Sequence, residues 1–121
     1  MGKYKNLYCK MFIDISCTRG ELKDTIAKIT KGEKDSFRTI ETEFGEIDVN
    51  ENEYFYSKDK DGSFIYYKFF LDIEPNETTI ESDYISNVFK IMQYFKSHKI
   101  DAVPACDFED ELYKMYEPSK H

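Results

Sequence analysis

A chain of 121 residues has room for one ordinary domain and not for two. Its 24 acidic and 17 basic residues leave a net charge of −7, the wrong sign for neutralising phosphates, so neither nucleic acid nor an anionic membrane is an expected partner. Ten Phe and ten Tyr within a 40% apolar composition supply a core that needs no metal or disulfide staple, and they argue against disorder although 34% of the residues are charged.

The compartment is read from what the chain lacks. No apolar run approaches the ~20 residues that span a bilayer. The stretch Met1–Asn6 has no apolar signal region, and Asn6 stands where a myristoylation site needs Ser or Thr. Three cysteines, Cys9, Cys17 and Cys106, are odd in number and lack metal-type spacing. These features predict a reducing, cytoplasmic setting, in which the Asn76-Glu77-Thr78 sequon is a coincidence.

The first predicted element is a strand over 7–15, where Cys9, Met11, Ile13 and Ile15 alternate with Tyr8, Lys10, Phe12 and Asp14. A helix follows over 19–30. Thr18 and Glu21 form a capping box, Leu22, Ile26 and Ile29 make one apolar face, and Gly32 is the expected stop. Residues 37–49 read as one bent strand: Ile40, Thr42 and Phe44 share a parity that Ile47 and Val49 reverse, with a bulge or sharp turn at Gly45. Residues 50–63 are a polar hairpin connection turning at Asp61-Gly62. A third strand spans 64–73 and ends before Pro75, and a second helix spans 82–99 with Ile85, Val88, Met92 and Phe95 as its stripe. A last short strand over 102–108 carries Pro104 and is therefore an edge, followed by a polar tail from about 113.

The order β-α-β-β-α-β predicts an α+β fold, a ferredoxin-like sandwich with a four-stranded sheet and two helices on one face. Its opposite face is left open, with Phe12, Phe70 and Tyr66 beside Lys10, Lys68, Asp14 and Asp72. Either another protein sits there, or the tail or the long connection covers it.

Catalytic chemistry finds no seat in the sequence. His121 is terminal, and His98 suits the negative end of a helix as a cap rather than a base. Cys9 and Cys106 fall on neighbouring strands of the expected sheet and can approach each other as a buried pair, but no base stands near to make a nucleophile. Glycines are scattered singly, so no phosphate loop exists. Ser57–Gly62 fails as a calcium loop because Lys68 stands where a bidentate Glu is needed. No catalytic residue, metal or cofactor is therefore assigned.

The acids are unevenly spread. Glu41, Glu43, Glu46, Asp48, Glu51 and Glu53 lie between Arg38 and Lys58 without an intervening base, Asp72, Glu74, Glu77, Glu81 and Asp83 lie between Lys68 and Lys90, and Asp101, Asp107, Glu109, Asp110 and Glu111 lie between Lys99 and Lys114. Basic residues gather instead between Arg19 and Arg38. Tyr54, Phe55 and Tyr56 sit within the first acidic run, either as an apolar anchor for a partner or folded back on the core. Together these residues outline an acidic, aromatic surface that steers a basic protein.

Two segments, Arg38-Thr39-Ile40-Glu41-Thr42-Glu43-Phe44-Gly45-Glu46-Ile47-Asp48-Val49 and Val103-Pro104-Ala105-Cys106-Asp107-Phe108-Glu109-Asp110, resemble a group of small bacterial proteins of this length and strand order. The chain's overall character is similar to the immunity proteins of bacterial toxin systems, including contact-dependent growth inhibition. That resemblance implies a non-enzymatic antitoxin, monomeric or weakly dimeric, that covers the active site of a basic toxin domain such as a nuclease. It assigns no residue roles. The competing expectation is a small ligand-binding or catalytic ferredoxin-like domain, for which fold alone is no warrant.

Overall fold

The computed structural model describes residues 2–35, 37–58 and 60–116. Period-two alternation produces β1 (Cys9–Asp14), whose Cys9, Met11 and Ile13 are fully buried. α1 (Arg19–Thr30) forms where the capping box predicts it: Thr18 accepts from the Glu21 amide at 3.1 Å and Glu21 accepts from the Thr18 amide at 2.9 Å. Its left-handed stop is Lys31 (φ 56°) rather than Gly32. Gly32 is needed for clearance, since a Cβ there would come within 2.6 Å of Ile40 and 2.9 Å of the Glu41 carbonyl.

The segment expected to be one bent strand is a hairpin. β2 (Glu33–Lys34), β3 (Thr39–Glu41) and β4 (Gly45–Glu51) form three antiparallel strands, with Ile40 directly opposite Ile47. Thr42 closes the turn, its hydroxyl donating to the Gly45 carbonyl at 2.6 Å and accepting from the Gly45 amide at 2.9 Å. Asn76 braces it from outside by donating to the Thr42 and Glu43 carbonyls. Gly45 permits the close approach of the Glu74 backbone, for a Cβ there would lie 2.1 Å from the Glu74 carbonyl oxygen.

Residues 50–68 are more ordered than a plain connection. Two 3-10 turns, Glu53–Tyr56 and Phe64–Tyr66, precede β5 (Phe69–Pro75), which starts later than the predicted strand. α2 (Glu81–Ser97) and β6 (Asp101–Cys106) follow within two residues of expectation at their ends, and His98 is the C-cap of α2. The polar tail is corrected: Glu109–Tyr116 is a third helix, α3, with Leu112 buried and Tyr113 and Tyr116 packed against the core. His121 lies outside the described residues.

The class is α+β, as expected, but the sheet has six strands rather than four and there are three helices rather than two. The order is β2-β3-β4-β5-β1-β6, antiparallel throughout, with β6 at an edge as Pro104 predicts. One face packs Ile40, Ile47, Ile73, Leu71 and Met11 into the main core with residues of α1 and α2. Tyr84 crosses that core and donates its hydroxyl to the Ile73 carbonyl at 3.0 Å, which satisfies its polar end. Among the described residues, no helix is long and apolar enough to cross a membrane.

Candidate functional site

Because strand residues alternate between faces, the core parity of Ile40, Ile47 and Ile73 fixes what their neighbours present on the other side. Three rows of side chains run across that outer face. In the first, Glu33 is opposite Glu41, Glu41 opposite Glu46, and Glu46 opposite Glu74. All four are exposed, and none makes a side-chain hydrogen bond or ion pair among the described residues. With strands spaced ~4.8 Å apart, four carboxylates line up over about 14 Å.

The second row is Thr39, Asp48, Asp72 and Lys10. Thr39 donates to Asp48 at 2.6 Å, while Asp72 accepts from the Tyr8 hydroxyl through one oxygen and from Asn50 at 2.9 Å through the other. Burial, and then the bond to Asp72, push the Tyr8 phenol well above its ordinary range. Lys10 faces Asp72 across the strands yet forms no ion pair among the described residues. Its ammonium instead lies 4.2 Å from the Phe70 ring centroid and 5.3 Å from that of Phe12.

The third row is Asn50, Phe70, Phe12 and Val103. Here the long connection folds back over the sheet, so the outer face is partly covered. Phe64 meets Phe12 edge-on at 5.2 Å and leaves it 8% exposed. Asn52 pins the connection. It is only 3% exposed, accepts from the Tyr54 amide at 3.1 Å, and donates to the Ile65 and Tyr67 carbonyls at 2.8 and 2.7 Å. These contacts frame a concavity of about 570 Å³ with Phe12 and Phe70 among its lining. Tyr54, Ile65 and Tyr66 are also in the wall, together with Lys10, Glu51 and Glu53.

The predicted surface residues thus divide in space. Glu41, Glu46 and Asp48 share the acidic side of the outer face, Glu43 caps the hairpin turn beside it, and Glu51, Glu53 and Tyr54 border the concavity. Tyr54 and Tyr56 are 60% and 74% exposed, whereas Phe55 is half-buried with Tyr56 edge-on to it and Lys60 over its ring. Asp107, Glu109, Asp110 and Glu111 do not join them. They sit at the start of α3, against α2, where Glu111 accepts from the Tyr4 hydroxyl at 2.7 Å and Glu109 accepts from the Cys106 amide at 3.3 Å. The bond to Glu111, with burial, pushes the Tyr4 phenol up to about 12. Acids in the first turn of a helix also favour its dipole, so this run has local structural work.

Asp72 lies on the outer face as expected, whereas sequence reasoning missed Glu33 and Glu74 as members of it. Glu74 continues the outward parity of Phe70 and Asp72, which is a readable signal. Glu33 had none, because β2 is two residues long. Among the described residues, no group of three or more His, Cys, Asp or Glu side chains has a metal-binding arrangement. No family model matches the chain, no curated protein matches it in sequence, and no solved structure matches it in fold.

Proposed function

We propose that this chain is an immunity-type protein that binds and neutralises a basic toxin domain, a nuclease by preference, through the outer face of its sheet. Its framework, β1-α1-β4-β5-α2-β6, is read as a ferredoxin-like unit, with β2 and β3 added at one edge and α3 at the end. The observation that carries the reading is the unpaired row Glu33-Glu41-Glu46-Glu74. Like charges directly opposite one another weaken a sheet. A row of four without a counter-ion among the described residues is therefore an arrangement that a cationic partner relieves. The adjoining concavity, with Tyr54 and Ile65 exposed at its border, supplies the apolar anchoring that such interfaces concentrate in a few residues. Toxin nucleases act on a polyanion, so their grooves carry the complementary sign.

The test is a neutralisation assay. The tagged protein is co-expressed with basic products of neighbouring genes, and growth is scored with the wild type and with Glu41→Lys/Glu46→Lys/Glu74→Lys. Rescue by the wild type and loss of rescue in the triple variant are expected, while Asp107→Asn/Asp110→Asn still rescues. Equal rescue by the triple variant refutes the surface, and the absence of any neutralised product refutes the function.

One observation favours a second reading, a small-ligand domain. The concavity has the volume of a ligand site, and Lys10 stands in its lining without an ion-pair partner among the described residues. An aromatic carboxylate would match both features. A thermal-shift titration with such acids, lost in Lys10→Met, supports that reading, and no shift rejects it.

A further inference from the structure

We propose that Cys9 and Cys106 form a redox-active dithiol that a low-molecular-weight disulfide oxidises to a cross-strand disulfide. The register places the two residues directly opposite each other on β1 and β6. Opposed residues of an antiparallel pair have Cα atoms ~4.5 or ~5.5 Å apart, depending on the hydrogen-bonding position, and both values lie inside the ~4.4–6.8 Å span of disulfides. Opposed residues also share a face of the sheet. Both side chains belong to the core-side cluster, Cys9 fully buried and Cys106 half-buried. The register itself brings the two side chains together on one face, so no backbone movement is needed for the sulfurs to bond.

The unequal exposure assigns the order of events. The half-exposed Cys106 meets the oxidant first: its thiolate attacks one sulfur of R–S–S–R, forming Cys106–S–S–R and releasing RS⁻. Cys9 then loses its proton and attacks the Cys106 sulfur, forming the Cys9–Cys106 bond and releasing the second RS⁻. Two protein thiols are oxidised and one small disulfide is reduced to two thiols, so electrons balance. The Cys106 side chain, followed by burial, pushes the Cys9 thiol well above its ordinary range, which disfavours it as the first attacker. Cys17 lies beyond the far end of β1, outside the register that opposes Cys9 and Cys106, and can be replaced without touching the pair.

The bond would tie the edge strand, and the α3 turn that Glu109 fastens to the Cys106 amide, to the interior strand β1. It would close a loop of about 100 residues, the range in which cross-links restrict the unfolded chain most. Folding stability would then follow the thiol–disulfide poise of the surroundings. This inference is independent of the proposed partner.

The experiment equilibrates the native Cys17→Ser protein in glutathione buffers of rising oxidised fraction, followed by acid quench and thiol-directed mass spectrometry. Both remaining thiols are expected to disappear together, with one cross-link between the Cys9 and Cys106 peptides. A Tm rise of roughly 10 °C should accompany it and be reversed by dithiothreitol. Cys106→Ser, altered at a half-exposed site, should fold and show neither change. Persistence of both thiols in the native protein, a stable glutathione adduct on Cys106 beside a free Cys9, or oxidation that requires prior unfolding would each overturn the proposal.

Discussion

Glu46 occupies the middle of the glutamate row, opposite Glu41 on one side and Glu74 on the other, which makes it the most informative residue to reverse. Each like-charge pair at directly opposed positions is unfavourable on the scale of ~0.2–1 kcal/mol. Glu46→Lys converts two such pairs into attractive ones, so a gain of about 1 kcal/mol is expected at low salt. For a domain of this size that corresponds to a Tm rise of roughly 4 °C. Lys and Glu are similarly disfavoured in strands, so intrinsic propensity changes little. Opposed side chains are ~5 Å apart, whereas the screening length is about 3 Å in 1 M salt, so most of the gain should vanish there. The assay is urea unfolding at low and high salt, with Glu77→Lys as the control: it makes the same change in net charge at an exposed site outside the strands. If Glu46→Lys is no more stable than the control, or if its advantage survives 1 M salt intact, the row is not electrostatically strained. The main support for a cationic partner then fails.

Two further perturbations address the scaffold of the site. Asn52→Ala removes a buried side chain that satisfies one amide and two carbonyls, so a loss of about 2–4 kcal/mol is expected in urea unfolding, with faster hydrogen exchange at the Tyr54 amide; unchanged exchange would show that Asn52 does not hold the connection in place. The Tyr67 hydroxyl bonds Asp101, and that bond, with burial, pushes its phenol up to about 12 from an ordinary 10. A raised folded-state value means that this stabilisation is complete below about pH 10 and is lost as pH climbs to about 12. Tyr67→Phe should therefore flatten the alkaline decline followed by circular dichroism, and an unaltered decline would place its cause elsewhere, such as the similarly raised Tyr4.

Local signals were the legible ones. The capping box of Thr18 and Glu21 placed α1 because both hydrogen bonds are made within one turn of chain. The alternation of β1 and the proline of β6 placed an interior strand and an edge, and with them the adjacency of Cys9 and Cys106. Helix α3 was missed because its composition is polar, yet Phe108 and Leu112 stand four residues apart and both are fully buried, which is a helical spacing visible in the sequence. The ordering of residues 50–68 was not legible. It depends on Asn52 reaching carbonyls thirteen and fifteen residues away, and Asn in a polar stretch reads simply as loop.

The hairpin had the largest consequence for function. A bulge and a tight turn leave the same mark in a sequence, a single reversal of parity, and Gly45 is compatible with either. Along one bent strand, Glu41 and Glu46 lie five residues apart and their charges barely meet. In a hairpin closed by Thr42 they stand opposite each other, and β2 brings Glu33 alongside. Without β2 and β3 the outer face would present only Glu46 and Glu74 as an opposed acidic pair in that row. The two added strands therefore double the row and extend it to the edge of the sheet. They contribute little apolar burial in return, since Ile40 alone among their residues is buried. An extension that adds little to the core but two carboxylates unpaired among the described residues, Glu33 and Glu41, fits the proposed docking face.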